Sequence, residues 1–235
     1  VRLNFTNERV LAVLAHPDDE FLCAGTLARA KNDGAAIGIC VLCLGDKGQT
    51  DPPTENLAEV RSAELQASAD LVDAQLLQGG FGDGALFDSS ESRSKVIELF
   101  RQFRPTLVLA HAPNDYHADH RAVSALAEAA SWMSASKGQK TASPALDAAP
   151  AIWWLDTVNM LGFTPEWYVD ISDHLELKRQ MIRCHRSQVA RGTSDDFAPL
   201  EALMVAQSKA RGEQAGVAAA EAFRSHQAWK RMRAW

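Results

Sequence analysis

The chain is predicted to be an α/β domain built on a mostly parallel sheet flanked by helices. Three observations carry that expectation. Short apolar runs at residues 9–15, 36–44 and 106–111 each stop at a polar or glycine-containing turn, as strands buried on both faces do. Segments with helical spacing separate these runs. The His/Asp clusters of the chain follow the first and last of them, at the carboxyl ends where open α/β sheets bind ligands.

Taken in order, residues 9–15 form the first strand and end in Ala15-His16-Pro17-Asp18-Asp19-Glu20. Pro17 suits the first turn of a helix, where its missing N–H costs nothing. Residues 18–32 are expected to be that helix, with Leu22, Leu27 and Ala30 turned inward and Asp33-Gly34 ending it. The second strand, 36–44, runs into Gly45-Asp46-Lys47-Gly48-Gln49, a polar loop whose spacing is not that of a Walker motif. A helix from Thr54 or Glu55 to about Ala69 carries Arg61 and Glu64. A short strand, 75–78, precedes a glycine-rich turn at 79–84, and a helix at 89–103 is stopped by Arg104-Pro105. The strand at 106–111 feeds the loop 112–117 and a helix from near Asp119 to about Ser134. Strand–helix repeated in this way implies right-handed crossovers, which put both His/Asp clusters on one rim. Beyond it, 136–150 reads as a surface loop and 152–155 and 167–171 as further strands of antiparallel sense. Residues 173–185 read as a helix, 187–199 as irregular chain and 200–223 as a long polar helix.

At 235 residues the chain suits one domain, 1–235. Its net charge of −6 is spread along the sequence, which argues against a nucleic-acid partner needing a basic face. No apolar run reaches membrane-spanning length, and no signal-peptide pattern is visible, although a leader removed before Val1 is left open. Four cysteines are too few for a disulfide scaffold in a chain of this length, so the cytoplasm is the expected compartment. Cys40 and Cys43 have knuckle-like spacing but lie in a strand, three apart and therefore on opposite faces, as core residues. Trp153, Trp154 and Trp167 suit the core or a subunit interface, so a homo-oligomer is left open.

Asp18, Asp19 and Glu20 alone fit ordinary charges of a first helical turn. The companion cluster His117-Ala118-Asp119-His120, about a hundred residues on, turns the reading toward a metal site. A hydrolytic zinc centre uses three protein ligands and one open position, and His16, Asp19 and His120 supply two imidazoles and a carboxylate. Fe²⁺ accepts the same donors. Asp18 can point past the metal and serve as general base. His117, near its ordinary pKa and held protonated by Asp119, would stabilise an oxyanion or protonate a leaving amine. Asp119 can also orient an imidazole. His111 ends a buried strand, where a local hydrogen bond suffices to explain it.

The motif A-H-P-D-D-E after the first strand, with H-x-D-H about a hundred residues later, resembles the LmbE/PIG-L family of zinc-dependent N-deacetylases. The likeness takes in residues 45–49, 57–65, Asp83-Gly84, 114–120 and 185–188, with Ala118 where the family usually has Pro. It implies a Rossmann-like fold and metal ligation by His16, Asp19 and His120. It also implies Asp18 as base, and His117 supported by Asp119 as electrophile or acid. Arg61 would contact the sugar, with Asp83, Asp115 and His185 as further substrate-binding candidates. The implied substrate is a small N-acyl amino sugar such as an N-acetylglucosamine conjugate. An amidase acting on a thiol–sugar conjugate is the alternative within enzymes. A non-catalytic metal- or sugar-binding module is the alternative outside them, and Asp18 argues against it, because binding a metal needs only ligands. A dinucleotide-dependent oxidoreductase is disfavoured by H-P-D-D where a glycine-rich phosphate turn would stand.

Overall fold

The computed structural model describes residues 3–48, 53–189 and 199–228. Five strands run parallel: β1 (Arg9–Leu14), β2 (Ala36–Cys43), β3 (Gln75–Phe81), β4 (Leu107–Ala110) and β5 (Ala151–Leu155). Two more, β6 (Trp167–Asp170) and β7 (Ala220–Ser225), complete a sheet ordered β3-β2-β1-β4-β5-β7-β6, in which β7 is antiparallel to both neighbours. The chain leaves β1 toward β2 and β3, then crosses back to place β4 on the other side of β1. The strand order therefore reverses between β1 and β4, which opens a crevice at their carboxyl ends.

β1 is buried on both faces, and its alternation divides the core. Val10, Ala12 and Leu14 pack with α1 (Ala24–Asn32), α2 (Leu57–Asp70), α5 (Leu175–Cys184) and α7 (Leu200–Ala215). Leu11, Val13 and Ala15 pack with α3 (Ser90–Phe103) and α4 (Ala118–Met133). Period-2 alternation sends successive side chains into different layers, so an unbroken apolar run is what such a strand requires.

The structure corrects several sequence expectations. The segment after β1 is not one helix: a 3₁₀ turn, Asp19–Leu22, precedes α1, and Asp18 has φ +106°. Pro17 therefore lies before the helical turn rather than in it. β3 continues to Phe81 through Gly79, where an added Cβ would meet the Leu42 carbonyl oxygen at 2.6 Å. Glycine in this strand permits close backbone approach rather than marking a turn. β5 is parallel to β4, and only β7 is antiparallel within the sheet. The pairing of β2 with β3 slips between Val41 and Cys43, so Cys40 and Cys43 reach the same core layer rather than opposite faces. A short helix, α6 (Arg186–Val189), begins the stretch expected to be irregular, and 190–198 lie outside the described residues. α7 ends at Gly216, φ +73°, and β7 replaces the expected helical continuation.

β7 is pinned to the first half of the chain by one buried carboxylate. Glu221 accepts from the amides of Gly25, at 2.9 Å, and Thr26, at 2.7 Å, in the first turn of α1. The Lys178 ammonium of α5 donates to the same side chain at 2.7 Å. A carboxylate at a helix N-terminus is favourable, and here it also neutralises a buried lysine. Removing one partner of a buried pair leaves the other charge uncompensated. Glu221→Ala is therefore expected to cost about 3–5 kcal/mol, a fall in Tm of roughly 6–20 °C for a chain of this size, read by thermal unfolding.

Candidate active site

The crevice between β1 and β4 contains a cleft of about 390 Å³. His16, Asp18, Asp19, Arg61, Asp83, His117, Asp119 and His120 all line it, although they come from four separate parts of the chain. His16 follows β1 directly. The last three come from the start of α4, which the loop after β4 delivers to the same rim.

Asp19 is the centre of this arrangement. Its carboxylate is buried and accepts the His16 amide at 2.7 Å. The same oxygen, Oδ2, lies 3.5 Å from His16 Nδ1 and 3.4 Å from His120 Nε2. Asp19, His111 and His120 offer donor atoms within 4.8 Å of one another, as do His16, His117 and His120, so His120 is shared by two groups of donors that could hold a metal ion. The far nitrogens of His16 and His120 each face another carboxylate. His16 Nε2 is 3.0 Å from Asp119 Oδ2, and His120 Nδ1 is 3.0 Å from Asp115 Oδ1. That is the carboxylate–histidine pattern that fixes ring orientation and tautomer in metal sites. Burial opposes charge on both rings, but the bonds of His16 to Asp119 and Asp19 outweigh it and raise its pKa to about 10. For His120, the charge of Asp19 and the bonds to Asp115 and Asp19 raise it to about 9. A cation entering here must displace those protons, so its affinity rises with pH up to that range.

His111 joins the cluster from the end of β4. Fully buried, it stacks on His120 with centroids 3.8 Å apart, and its Nε2 lies 3.2 Å from Asp19 Oδ2. The same nitrogen accepts the Ala15 amide at 3.1 Å. His111 is thus tied to the β1 backbone, and it also belongs with Asp19 and His120 to a group of donors within 4.8 Å of one another. Burial, then the charge of His120, lowers its pKa to about 4.

Asp18 stands beside this set without belonging to it. Its backbone turns at positive φ, and three contacts hold the turn. Glu20 accepts the Asp18 amide at 3.1 Å, and the Arg61 guanidinium donates to the Pro17 carbonyl and lies 3.1 Å from Asp18 Oδ2. Burial raises the Asp18 pKa to about 6, against the pull of Arg61 and with the help of Asp19. A carboxyl so poised is suited to taking a proton near neutral pH.

His117 is the N-cap of α4, its Nδ1 accepting the Asp119 amide at 3.1 Å. The neutral ring therefore carries its proton on Nε2. Burial, then the charges of His16 and His120, lowers its pKa. The expectation that Asp119 holds His117 protonated is not met. The Asp119 carboxylate is used by His16 and by the Gly84 amide at 2.8 Å, and stays 4.0 Å from His117. His117 is placed as a neutral hydrogen-bond donor. Tyr116 is exposed at the mouth of the cleft.

Other expected substrate contacts take different places. Asp115 is buried behind His120 and does not line the cleft. His185 is fully buried, paired with Glu20, whose carboxylate also accepts from Ser68 at 2.7 Å. Asp83 reaches the cleft wall, but its carboxylate accepts the amides of Gly45, at 2.8 Å, and Lys47, at 3.1 Å, and so shapes the loop after β2. Arg61 is buried and grips Asp18 rather than pairing with Glu64, which accepts from Ser187 instead. Sequence reasoning missed the wall formed by Phe21, Val158, Leu200 and Leu203. No local pattern separates these apolar residues from those of the core.

A family model described as PIG-L, GlcNAc-PI de-N-acetylase, matches residues 11–131. The diacetylchitobiose deacetylase of Thermococcus kodakarensis is 30% identical over 198 residues, 77% of this chain and 70% of the relative. The 1D-myo-inositol 2-acetamido-2-deoxy-alpha-D-glucopyranoside deacetylase of a Mycobacterium species (strain JLS) is 26% identical, covering 77% of this chain and 74% of its own length. Among solved structures, the N,N'-diacetylchitobiose deacetylase of Pyrococcus horikoshii superposes with a TM-score of 0.80 at 26% identity, over 93% of this chain and 84% of that one.

The geometry makes the supporting carboxylates as testable as the donors. Alanine at His16, Asp19 or His120 is expected to remove most bound zinc, because three donors leave no redundancy. Asp115→Asn and Asp119→Asn, which keep shape but lose charge, are expected to weaken zinc binding about 10–100-fold. Competition with a chelating indicator measures both, and unchanged affinity in the asparagine variants would separate these carboxylates from the site.

Proposed function

This chain belongs to the PIG-L, GlcNAc-PI de-N-acetylase, family, and on that premise we propose that it is a zinc-dependent hydrolase removing the N-acetyl group from an amino-sugar conjugate. One observation carries the reading: Asp18 is built into the cleft as a poised base immediately beside the His16, Asp19 and His120 donors. A purely binding module would have no use for a positive-φ turn that aims a half-buried carboxylate there. His16, Asp19 and His120 would hold the cation, which when bound polarises the amide carbonyl and acidifies a water. Fe²⁺ suits the same donors.

The chain's own groups then divide the work. Asp18 accepts a proton from the attacking water, with Arg61 keeping its carboxylate turned into the cleft. Negative charge develops on the acetyl oxygen as the carbonyl carbon becomes tetrahedral. The Nε2 proton of His117, whose Nδ1 is occupied by the Asp119 amide, can donate to that oxygen without carrying charge itself. Once protonated, Asp18 is the group able to return the proton to the departing sugar nitrogen. Acetate and a free amino sugar result, with bonds and protons balanced. The amidase alternative has no feature of this cleft in its favour.

The reading is tested by acetate release from diacetylchitobiose and N-acetylglucosaminyl-inositol, with metal content measured on the same sample. Asp18→Asn should keep its metal and lose roughly 10²–10⁴-fold in kcat. Asp18 must be ionised to act, so kcat/KM should fall as pH drops through about 6, on a limb pulled lower by a bound cation and flattened in Asp18→Asn. Near-native turnover in that variant would remove Asp18 from the role of base. His117→Ala should lose about 10²-fold or more in kcat, while His117→Gln, which keeps a neutral donor, should retain more. Equal losses in the two would return the role of charged proton donor to His117.

A further inference from the structure

The Cys43 thiol is a buried group beside the cleft that deacetylation leaves unused. β2 lies against β1 so that the Cys43 amide donates to the Ala15 carbonyl at 2.8 Å, one residue before His16. The slip in strand pairing after Val41 changes the side that Cys43 presents. Its Sγ, an Asp119 carboxylate oxygen and a His16 ring nitrogen lie within 4.8 Å of one another. Cys43 and Asp119 are buried, while His16 and Asp119 line the cleft and give access to it. His16 meets Asp119 through Nε2, at 3.0 Å, whereas Nδ1 is the atom nearer Asp19. The Asp119 contact is therefore made by the ring nitrogen opposite the one nearer Asp19.

We infer that Cys43, Asp119 and His16 form a second cation site, selective for thiophilic divalent ions, whose occupation inhibits the enzyme. Sulfur donors select soft ions such as Cd²⁺, and zinc in excess, over Mg²⁺ and Ca²⁺. Binding replaces the thiol proton and the proton shared by His16 and Asp119, and both go to solvent. The carboxylates of Asp119, Asp83, Asp19 and Asp46 near the thiol favour a cation there. Inhibition follows because the second ion takes the carboxylate that orients His16, and ligands deprived of such support bind their metal about 10–100-fold more weakly.

The test starts from protein loaded with one equivalent of zinc and titrates in Cd²⁺. A second equivalent should bind and bring a thiolate-to-cadmium charge-transfer absorption in the ultraviolet. Acetate release should fall at least about tenfold over the same range, and Mg²⁺ should do neither. Cys43→Ser and Cys43→Ala should keep the first equivalent and their hydrolysis, and lose the second equivalent, the absorption and the inhibition. Absence of the absorption in the parent protein would overturn the site, as would its persistence in the Cys43 variants, which would assign it to another cysteine such as Cys184. Cadmium NMR of the parent protein decides the matter if the variants do not fold, since one sulfur ligand is expected and none would refute it. Absorption, stoichiometry and NMR need no substrate, so they judge this site even if the chain hydrolyses no amino sugar.

Discussion

A single carboxylate, buried at the point where two strand ends meet, makes the heaviest demand on this structure. Asp19 has a relative exposure of 5% and three imidazoles within 3.5 Å of one oxygen. A charge taken out of water must be compensated where it stands. The charge of His120, with its bond to Asp19, outweighs burial and holds Asp19 well below the usual carboxylate range. Compensation requires β1 and β4 to be adjacent and parallel, because His16 is supplied by one and His111 and His120 by the other. The crossover that reverses strand order is thus what brings the compensating groups together.

Around that centre, the groups that would do the chemistry are held by other buried polar groups. Asp115 supports His120, and Asp119 supports His16. Glu20, braced by Ser68 and His185, holds the backbone of the Asp18 turn. Arg61 ties that turn to the loop after β2 through the Gly45 carbonyl. Buried polar networks are costly when partly satisfied, so these residues are confined to few alternatives. The result is a site whose rings are aimed by carboxylates and whose base is aimed by an arginine. Such preorganisation is what hydrolysis of an unactivated amide demands.

The late part of the chain contributes through packing. α5 and α7 cover one face of the sheet, and Glu221 of β7 links that layer to the start of α1 just after the Asp19 turn. Leu200 and Leu203 of α7, with Val158, add apolar lining to a cleft that Lys47 and Gly48 also line. The rim that carries the chemistry is therefore closed by elements distant from it in sequence.

What the sequence determined by itself was local and periodic. Apolar runs marked β1, β2 and β4, and the polar residues that ended them marked the rim. The identity of His16, Asp18, Asp19, His117 and His120 as one constellation was legible because strand–helix order leaves little freedom in where strand ends fall. The tertiary structure decided whatever depends on partners. An Ala- and Glu-containing segment at 220–225 has no strand signature, and became β7 because β5 and β6 offered it backbone partners on both sides. Asp83, Asp115 and His185 were polar residues of unassigned orientation, and became supports because burial forced each to find a partner. His117 is neutral rather than charged because its helix cap and neighbouring imidazoles, invisible in one dimension, set its protonation. Spacing along a chain reports which face a residue can share. Only folding reports which charge it will meet there.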